Sequence, residues 1–389
     1  MKTERRTFLK QAAAAGSLLG LPRILRAEDA RAPDGKPQSP TNILLIMADD
    51  MGFECVRANG GTSYHTPNLD RLAKEGAHFN HCYSQPICTP SRVQIMSGIY
   101  NDRNYDKFRW MGKDVTTFAQ LLRRAGYATA IAGKWQLSGN RREPRPEVYD
   151  DPGHFGFDQY CLWHLFGKND RYKKPNLFQD GKPLDARGRY GPDICTEYLM
   201  EFMTRHKDGP FLAYYPMLLT HDPFHNPPAR PDGDRAEELG ETPFQRMVSR
   251  CDYEVHRLTE HLKKLGIADR TLVMFTGDNG CKGSVQSQLN GRTVHGGKGR
   301  STDAGTHVPL IAWQPGRIAA GRNDHLVDFS DFLPTICEAA GVPVPEILDI
   351  DGLSFLPTLY GTQTSVKTGH SRDLSRKLNA PGGRPLWGS

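Results

Sequence analysis

The sequence predicts an α/β fold in which a mainly parallel central sheet is flanked by helices on both faces. Three observations carry that expectation. The runs Ile43–Ala48, Phe211–Tyr215 and Thr271–Phe275 are near-continuously apolar rather than alternating, the mark of strands buried on both faces. Amphipathic segments closed by glycine separate such runs, as crossover helices do. Acidic pairs, Asp49-Asp50 and Asp278-Asn279, follow two of the runs, where open α/β sheets collect their ligands.

Taken in order, Ile43–Ala48 reads as the first buried strand and Asn68–Gly76 as a helix stopped by its glycine. Thr116–Gly126 is a second glycine-ended helix, leading into the strand Ala128–Ala132. The stretch Ser138–Gly191 is long, polar and aromatic, with many Gly and Pro, and reads as an insertion over the pocket rather than part of the core. Phe211–Tyr215 is the next strand. Asp252–Gly266 places Val255, Leu258, Leu262 and Leu265 on one helix face. The strands Thr271–Phe275 and Val308–Ala312 complete the series, and no internal repeat interrupts it.

The chain has 389 residues, room for one large α/β domain or two ordinary ones. An apolar content of 38% with 24% charged residues is that of a soluble globular protein, and no apolar run is long enough to span a bilayer. The net charge of +6 favours anionic partners only weakly and gives no nucleic-acid reading, since part of it lies in the first 26 and last 20 residues. Thr3-Glu4-Arg5-Arg6-Thr7-Phe8-Leu9-Lys10 resembles a bacterial twin-arginine export signal; a mild apolar stretch, Ala12–Leu21, and a cleavage site at Leu25-Arg26-Ala27 follow. Residues 1–27 are therefore expected to be a signal peptide read by the twin-arginine translocase and 28–40 a linker, giving a periplasmic or secreted protein. Eight cysteines lie without CxxC spacing, which excludes zinc-ribbon and thioredoxin readings and leaves any disulfide pairing open.

Cys88-Thr89-Pro90-Ser91-Arg92 is the most telling segment. Proline two residues after the cysteine suits the first turn of a helix, so Cys88 is expected at a helix N-terminus, near unpaired N–H donors that attract anions. Arg92, one turn on, adds planar donors for an oxyanion. Asp49, Asp50, Asp278 and Asn279 form an all-oxygen donor set suited to Ca2+ or Mg2+. Lys134 follows a strand, Lys298 lies in the glycine loop Gly296–Gly299, and His221 lies beyond the 211–215 strand. The glycine loop lacks the spacing of a phosphate-binding P-loop.

From about Thr41 to about Thr358 these pieces, in this order, resemble the type I sulfatases of the alkaline-phosphatase superfamily. The signature is Cys or Ser, any residue, Pro, any residue and Arg, then Thr/Ser-Gly; here it is Cys88–Arg92 with Ser97-Gly98. Asn42–Gly52, Gly133-Lys134-Trp135, Thr276–Gly280 and Gly296–Gly299 with Val308-Pro309 resemble the family's remaining motifs. The resemblance implies a catalytic domain over 41–360 that hydrolyses sulfate esters of small molecules or polysaccharides. It implies that a maturating enzyme oxidises Cys88 to formylglycine, whose hydrate attacks sulfur and then expels sulfate as the aldehyde re-forms. It implies Ca2+ on Asp49, Asp50, Asp278, Asn279 and the modified residue 88. Arg92, Lys134, His221 and Lys298 are then expected to hold the nucleophile, neutralise sulfate and protonate the leaving alcohol.

The chain departs from the family pattern twice. Gln136 stands where members usually carry histidine, and an amide cannot act as a general base. The resemblance fades after Asp351-Gly352 to Gly361, so the family's C-terminal antiparallel subdomain is expected to be largely missing, with 361–389 a short basic tail. A phosphoryl ester hydrolase of the same superfamily and a catalytically impaired binder of sulfated glycans are the alternatives.

Overall fold

The computed structural model describes residues 41–139, 151–163, 170–230, 232–233 and 240–362. The expected signal peptide and linker lie outside the described residues, as does the tail from 363 onward. The chain runs through β1 (Asn42–Ala48), α1 (Pro67–Glu75), β2 (Ala77–Tyr83), α2 (Cys88–Ser97), α3 (Asn101–Asn104), α4 (Phe118–Arg124) and β3 (Ala128–Lys134). It continues with β4 (Gln159–Trp163), β5 (Leu177–Gln179), β6 (Lys182–Pro183), α5 (Gly191–Arg205), β7 (Phe211–Pro216), α6 (Pro243–Lys264) and β8 (Thr271–Gly277). Then come β9 (Gln286–Leu289), β10 (Arg292–His295), α7 (Asp303–Thr306), β11 (Leu310–Trp313), β12 (Gly321–Asp328), α8 (Phe332–Ala339) and α9 (Leu356–Leu359).

One 10-stranded sheet has the order β12-β2-β11-β8-β1-β7-β3-β4-β5-β6, while β9 and β10 form a separate hairpin. The central strands β8, β1, β7, β3 and β4 are mutually parallel, so their carboxyl ends share one edge. Every residue of β1 is buried. Its Leu44, Ile46 and Ala48 pack into one layer with Leu199 of α5 and Leu258 of α6, and Ile43, Leu45 and Met47 into the other with Val93 of α2 and Phe118 of α4. This two-sided burial explains why the strand reads as a continuous apolar run.

The expected strands and helices at 43–48, 68–76, 116–126, 128–132, 211–215 and 271–275 all form, to within a few residues at their ends. Three readings are corrected. The segment 138–191 is no mere insertion: β4 lies in the main sheet beside β3, pairing Lys134 with Trp163, and β5 extends the edge antiparallel to β4, with β6 antiparallel to β5. Only five residues long and flanked by polar sequence, β4 carries too short a pattern to separate it from a loop. The helix over 252–266 begins earlier, at Pro243, behind a capping box in which Thr242 and Gln245 satisfy each other's backbone N–H. The run at 308–312 becomes β11 at Leu310–Trp313 and lies antiparallel between β8 and β2. Further elements, among them β2, α5, β12 and α8, had no counterpart in the sequence reading; β2 and β12 are partly exposed strands rich in polar residues, which blunts their signal.

Candidate active site

The shared edge of the parallel strands gathers the candidate residues. Asp49 and Asp50 follow β1, Asp278 and Asn279 follow β8, Lys134 ends β3, and His221 hangs from the loop after β7. Because β1 pairs directly with β8, the two acidic pairs become neighbours. Backbone bonds lock them: Asp278 N–H donates to the Ala48 carbonyl at 2.9 Å, and Asp50 N–H donates to Asp278 Oδ1 at 2.9 Å. Asp49 N–H donates to Leu219 O at 2.7 Å and Thr220 N–H returns a bond to Asp49 O at 2.7 Å, tying the His221 loop to the same point.

Cys88 is the first residue of α2, as its proline spacing suggested, and is 3% exposed. It faces a pocket of about 670 Å³ shared with Gln136, Arg171, His221 and Lys298. Its Sγ lies 3.7 Å from Gln136 Oε1. Gly133 has φ +117°, and a Cβ there would sit 2.0 Å from the Pro216 carbonyl; the glycine lets β3 hug the end of β7 while delivering Lys134 to the pocket floor. Gly297 plays the same part for Lys298, since a Cβ there would sit 2.5 Å from backbone atoms of Ala304 and Gly305.

Cations and carboxylates interleave. Lys134 Nζ donates to both oxygens of Asp49 at 2.8 and 2.9 Å, and Arg171 Nη1 donates to Asp49 Oδ2 at 2.8 Å. Lys298 Nζ donates to Asp50 Oδ2 at 2.6 Å. Arg92 does not line the pocket; it donates to Asp278 Oδ2 at 2.9 Å and to the Lys134 carbonyl at 3.2 Å, holding both in place. Burial acts to raise the Asp49 carboxyl, but Lys134, His221, Arg171 and Arg92 outweigh it and hold it well below the usual carboxylate range. Burial followed by the charge of Asp49 pushes Asp278 up to about 7, against the pull of Arg92 and Lys134. Burial also lowers His221, opposed by Asp49 and Asp50. Lys298 is held above its ordinary range because Asp50 and Asp49 overcome the cost of its burial.

The acidic cluster suits a hard divalent cation. Asn279 donates its amide to Asp50 Oδ1 at 2.8 Å, yet its own Oδ1 is buried with no hydrogen-bond partner among the described residues. An orphaned amide oxygen beside three carboxylates, without thiolate or imidazole in the set, is an oxygen-only cage that a cation would satisfy. His221 stands close by, its Nε2 3.7 Å from Asp50 Oδ2. Its Nδ1 lies 2.7 Å from the Asp222 carbonyl; a carbonyl only accepts, so Nδ1 carries hydrogen and Nε2 is the atom free to exchange a proton.

All ten residues singled out from the sequence thus gather at one edge: Cys88, Gln136, His221 and Lys298 line the pocket, while the buried Asp49, Asp50, Arg92, Lys134, Asp278 and Asn279 lie outside its lining. Arg171 and Trp163, within the stretch read as an insertion over the pocket, also join the site. In the structure Arg171 is 7% exposed, its guanidinium packs 4.2 Å from the Trp163 ring centroid, and it bonds Asp49. No motif marks it, because it lies in the stretch misread as an insertion.

A sequence model of the Sulfatase family matches residues 41–342. The chain is 32% identical over 370 residues to N-acetylgalactosamine-6-sulfatase of Mus musculus, covering 85% of this chain and 68% of that one. It is 30% identical to human arylsulfatase A, covering 84% and 69%. Among solved structures, the crystal structure of Ps i-CgsB superposes with a TM-score of 0.71 at 27% identity, covering 84% of this chain and 77% of that chain. The chain thus spans about two thirds of the length of these curated relatives.

Proposed function

The chain belongs to the sulfatase family of hydrolases, within the alkaline-phosphatase superfamily, and from that premise we propose that it cleaves sulfate from an alcohol or sugar ester at the pocket above Cys88. The observation that carries the reading is the placement of Cys88 at the start of α2, sharing one pocket with His221 and Lys298 at the edge of the carboxylate cluster. After oxidation to formylglycine by a maturating enzyme, position 88 would supply the attacking oxygen as the aldehyde hydrate. A Ca2+ ion, or Mg2+, held by Asp49, Asp50, Asp278, Asn279 and the modified residue 88 would supply Lewis acidity for a sulfate oxygen and for the hydrate.

The chain's own side chains account for the rest. Lys134 and Lys298 bring ammonium groups to the acidic cluster and neutralise the non-bridging oxygens of the ester as charge grows on them. Arg92 acts as a positioning residue: one guanidinium fixes Asp278 and the backbone of Lys134 together. His221, with Nδ1–H committed to Asp222, presents Nε2 to the pocket and, when protonated there, hands its proton to the departing alcohol. Arg171 adds a second buried cation on Asp49. Gln136 hydrogen-bonds at residue 88 but takes up no proton, so sulfate release relies on His221 or on water. Export through the twin-arginine translocase to the periplasm or beyond is part of the same proposal and rests on Thr3–Lys10.

Peptide mass spectrometry tests the nucleophile. In protein coexpressed with a maturating enzyme, the Cys88 peptide is expected to lose a sulfur and two hydrogens and gain one oxygen. Active protein carrying an unmodified thiol would overturn the assignment.

A further inference from the structure

We propose that Cys55 and Cys281 are a disulfide-forming pair that cross-links the two loops bearing the acidic cluster. Cys55 closes the short turn Phe53–Cys55 that follows Asp49-Asp50, and Cys281 comes two residues after Asn279. Both are completely buried, and their sulfurs lie 3.3 Å apart although 226 positions separate them in sequence. The Gly52 N–H points at Cys281 Sγ from 3.4 Å, so a backbone donor holds one sulfur in place.

Two thiols lose two protons and two electrons to a disulfide oxidant, either oxidised glutathione or the disulfide of a thiol oxidoreductase, which leaves as two thiols. A divalent metal on Glu54, Cys55 and Cys281 is the competing use of these donors, whose ligand atoms lie within 4.8 Å of one another. Charge argues against it. Among the described residues, the charged groups that act most strongly on these three side chains are one another and Asp303, all acids, so two thiolates and a carboxylate around one divalent ion would leave a net negative charge in a buried site. A disulfide is neutral.

The whole chain, folded in an oxidising glutathione buffer and quenched with a thiol alkylator, tests the pair. Non-reducing peptide mapping is expected to yield a Cys55–Cys281 linked peptide, lighter than the two thiol peptides by two hydrogens. Reductant is expected to lower the melting temperature of this protein by roughly 5 °C. Cys55→Ser and Cys281→Ser proteins should melt at the same temperature with or without reductant. Recovery of both residues as alkylated thiols from natively folded protein overturns the proposal. So does stoichiometric zinc that Cys281→Ser removes. The wild-type mapping stands even if a serine variant fails to fold, and neither outcome depends on the sulfatase reading.

Discussion

Gln136 holds its backbone at φ +51° and sets its amide oxygen 3.7 Å from Cys88 Sγ, at the spot where a proton acceptor would sit. Histidine tolerates the left-handed region better than most side chains, so Gln136→His is compatible with the local backbone. If release of sulfate limits turnover, that substitution is expected to raise kcat or shift its pH profile; steady-state rates unchanged across pH would remove Gln136 from the proton path. Cys88→Ala is expected to abolish turnover while leaving the circular dichroism spectrum near wild type and the calcium response weakened but present, since the four oxygen donors that follow β1 and β8 remain. Persistent activity would sink Cys88 as the nucleophile precursor. At this scale the site was legible because its residues sit in short contiguous strings at strand ends, where a turn residue and a chemical residue coincide. Arg171 was not, because only the tertiary approach of its segment to Asp49 gives it meaning.

Single contacts between elements set the pocket floor. Asp252 of α6 accepts the backbone N–H groups of Asn68 and Leu69, closing the N-terminus of α1 from another helix. Asp252→Ala removes that cap inside the core and is expected to cost about 1–3 kcal/mol in urea unfolding with kcat little changed. Gly133→Ala should behave differently. Its new methyl meets the Pro216 carbonyl and its φ of +117° disfavours any side chain, so a loss of at least ~2 kcal/mol is expected together with a fall in kcat as Lys134 is displaced. Equal stability of Gly133→Ala and wild type would contradict the packing described for β3. Among the elements, β1, β3, β7 and β8 were readable from composition because burial on both faces leaves no polar face to confuse the pattern. The reverse direction of β11 was not, since a four-residue apolar run carries no information about which way its neighbours run.

The whole molecule is organised around one edge of one sheet, where carboxylates from β1 and β8 are balanced by Arg92, Lys134, Arg171 and Lys298. A ligand that binds only the folded state stabilises it by mass action, about 2.7 kcal/mol at a hundredfold excess over its Kd. Calcium is therefore expected to raise the melting temperature and chelator to lower it, and Asp50→Asn should abolish that response. A calcium shift retained in Asp50→Asn would move the cation away from the cluster. The central claim is that this edge hydrolyses sulfate esters, and matched aryl sulfate and aryl phosphate esters test it most directly. Using calcium-loaded protein whose residue 88 is verified as formylglycine, kcat/KM should be higher for the sulfate ester; cleavage of the phosphate ester alone would contradict it.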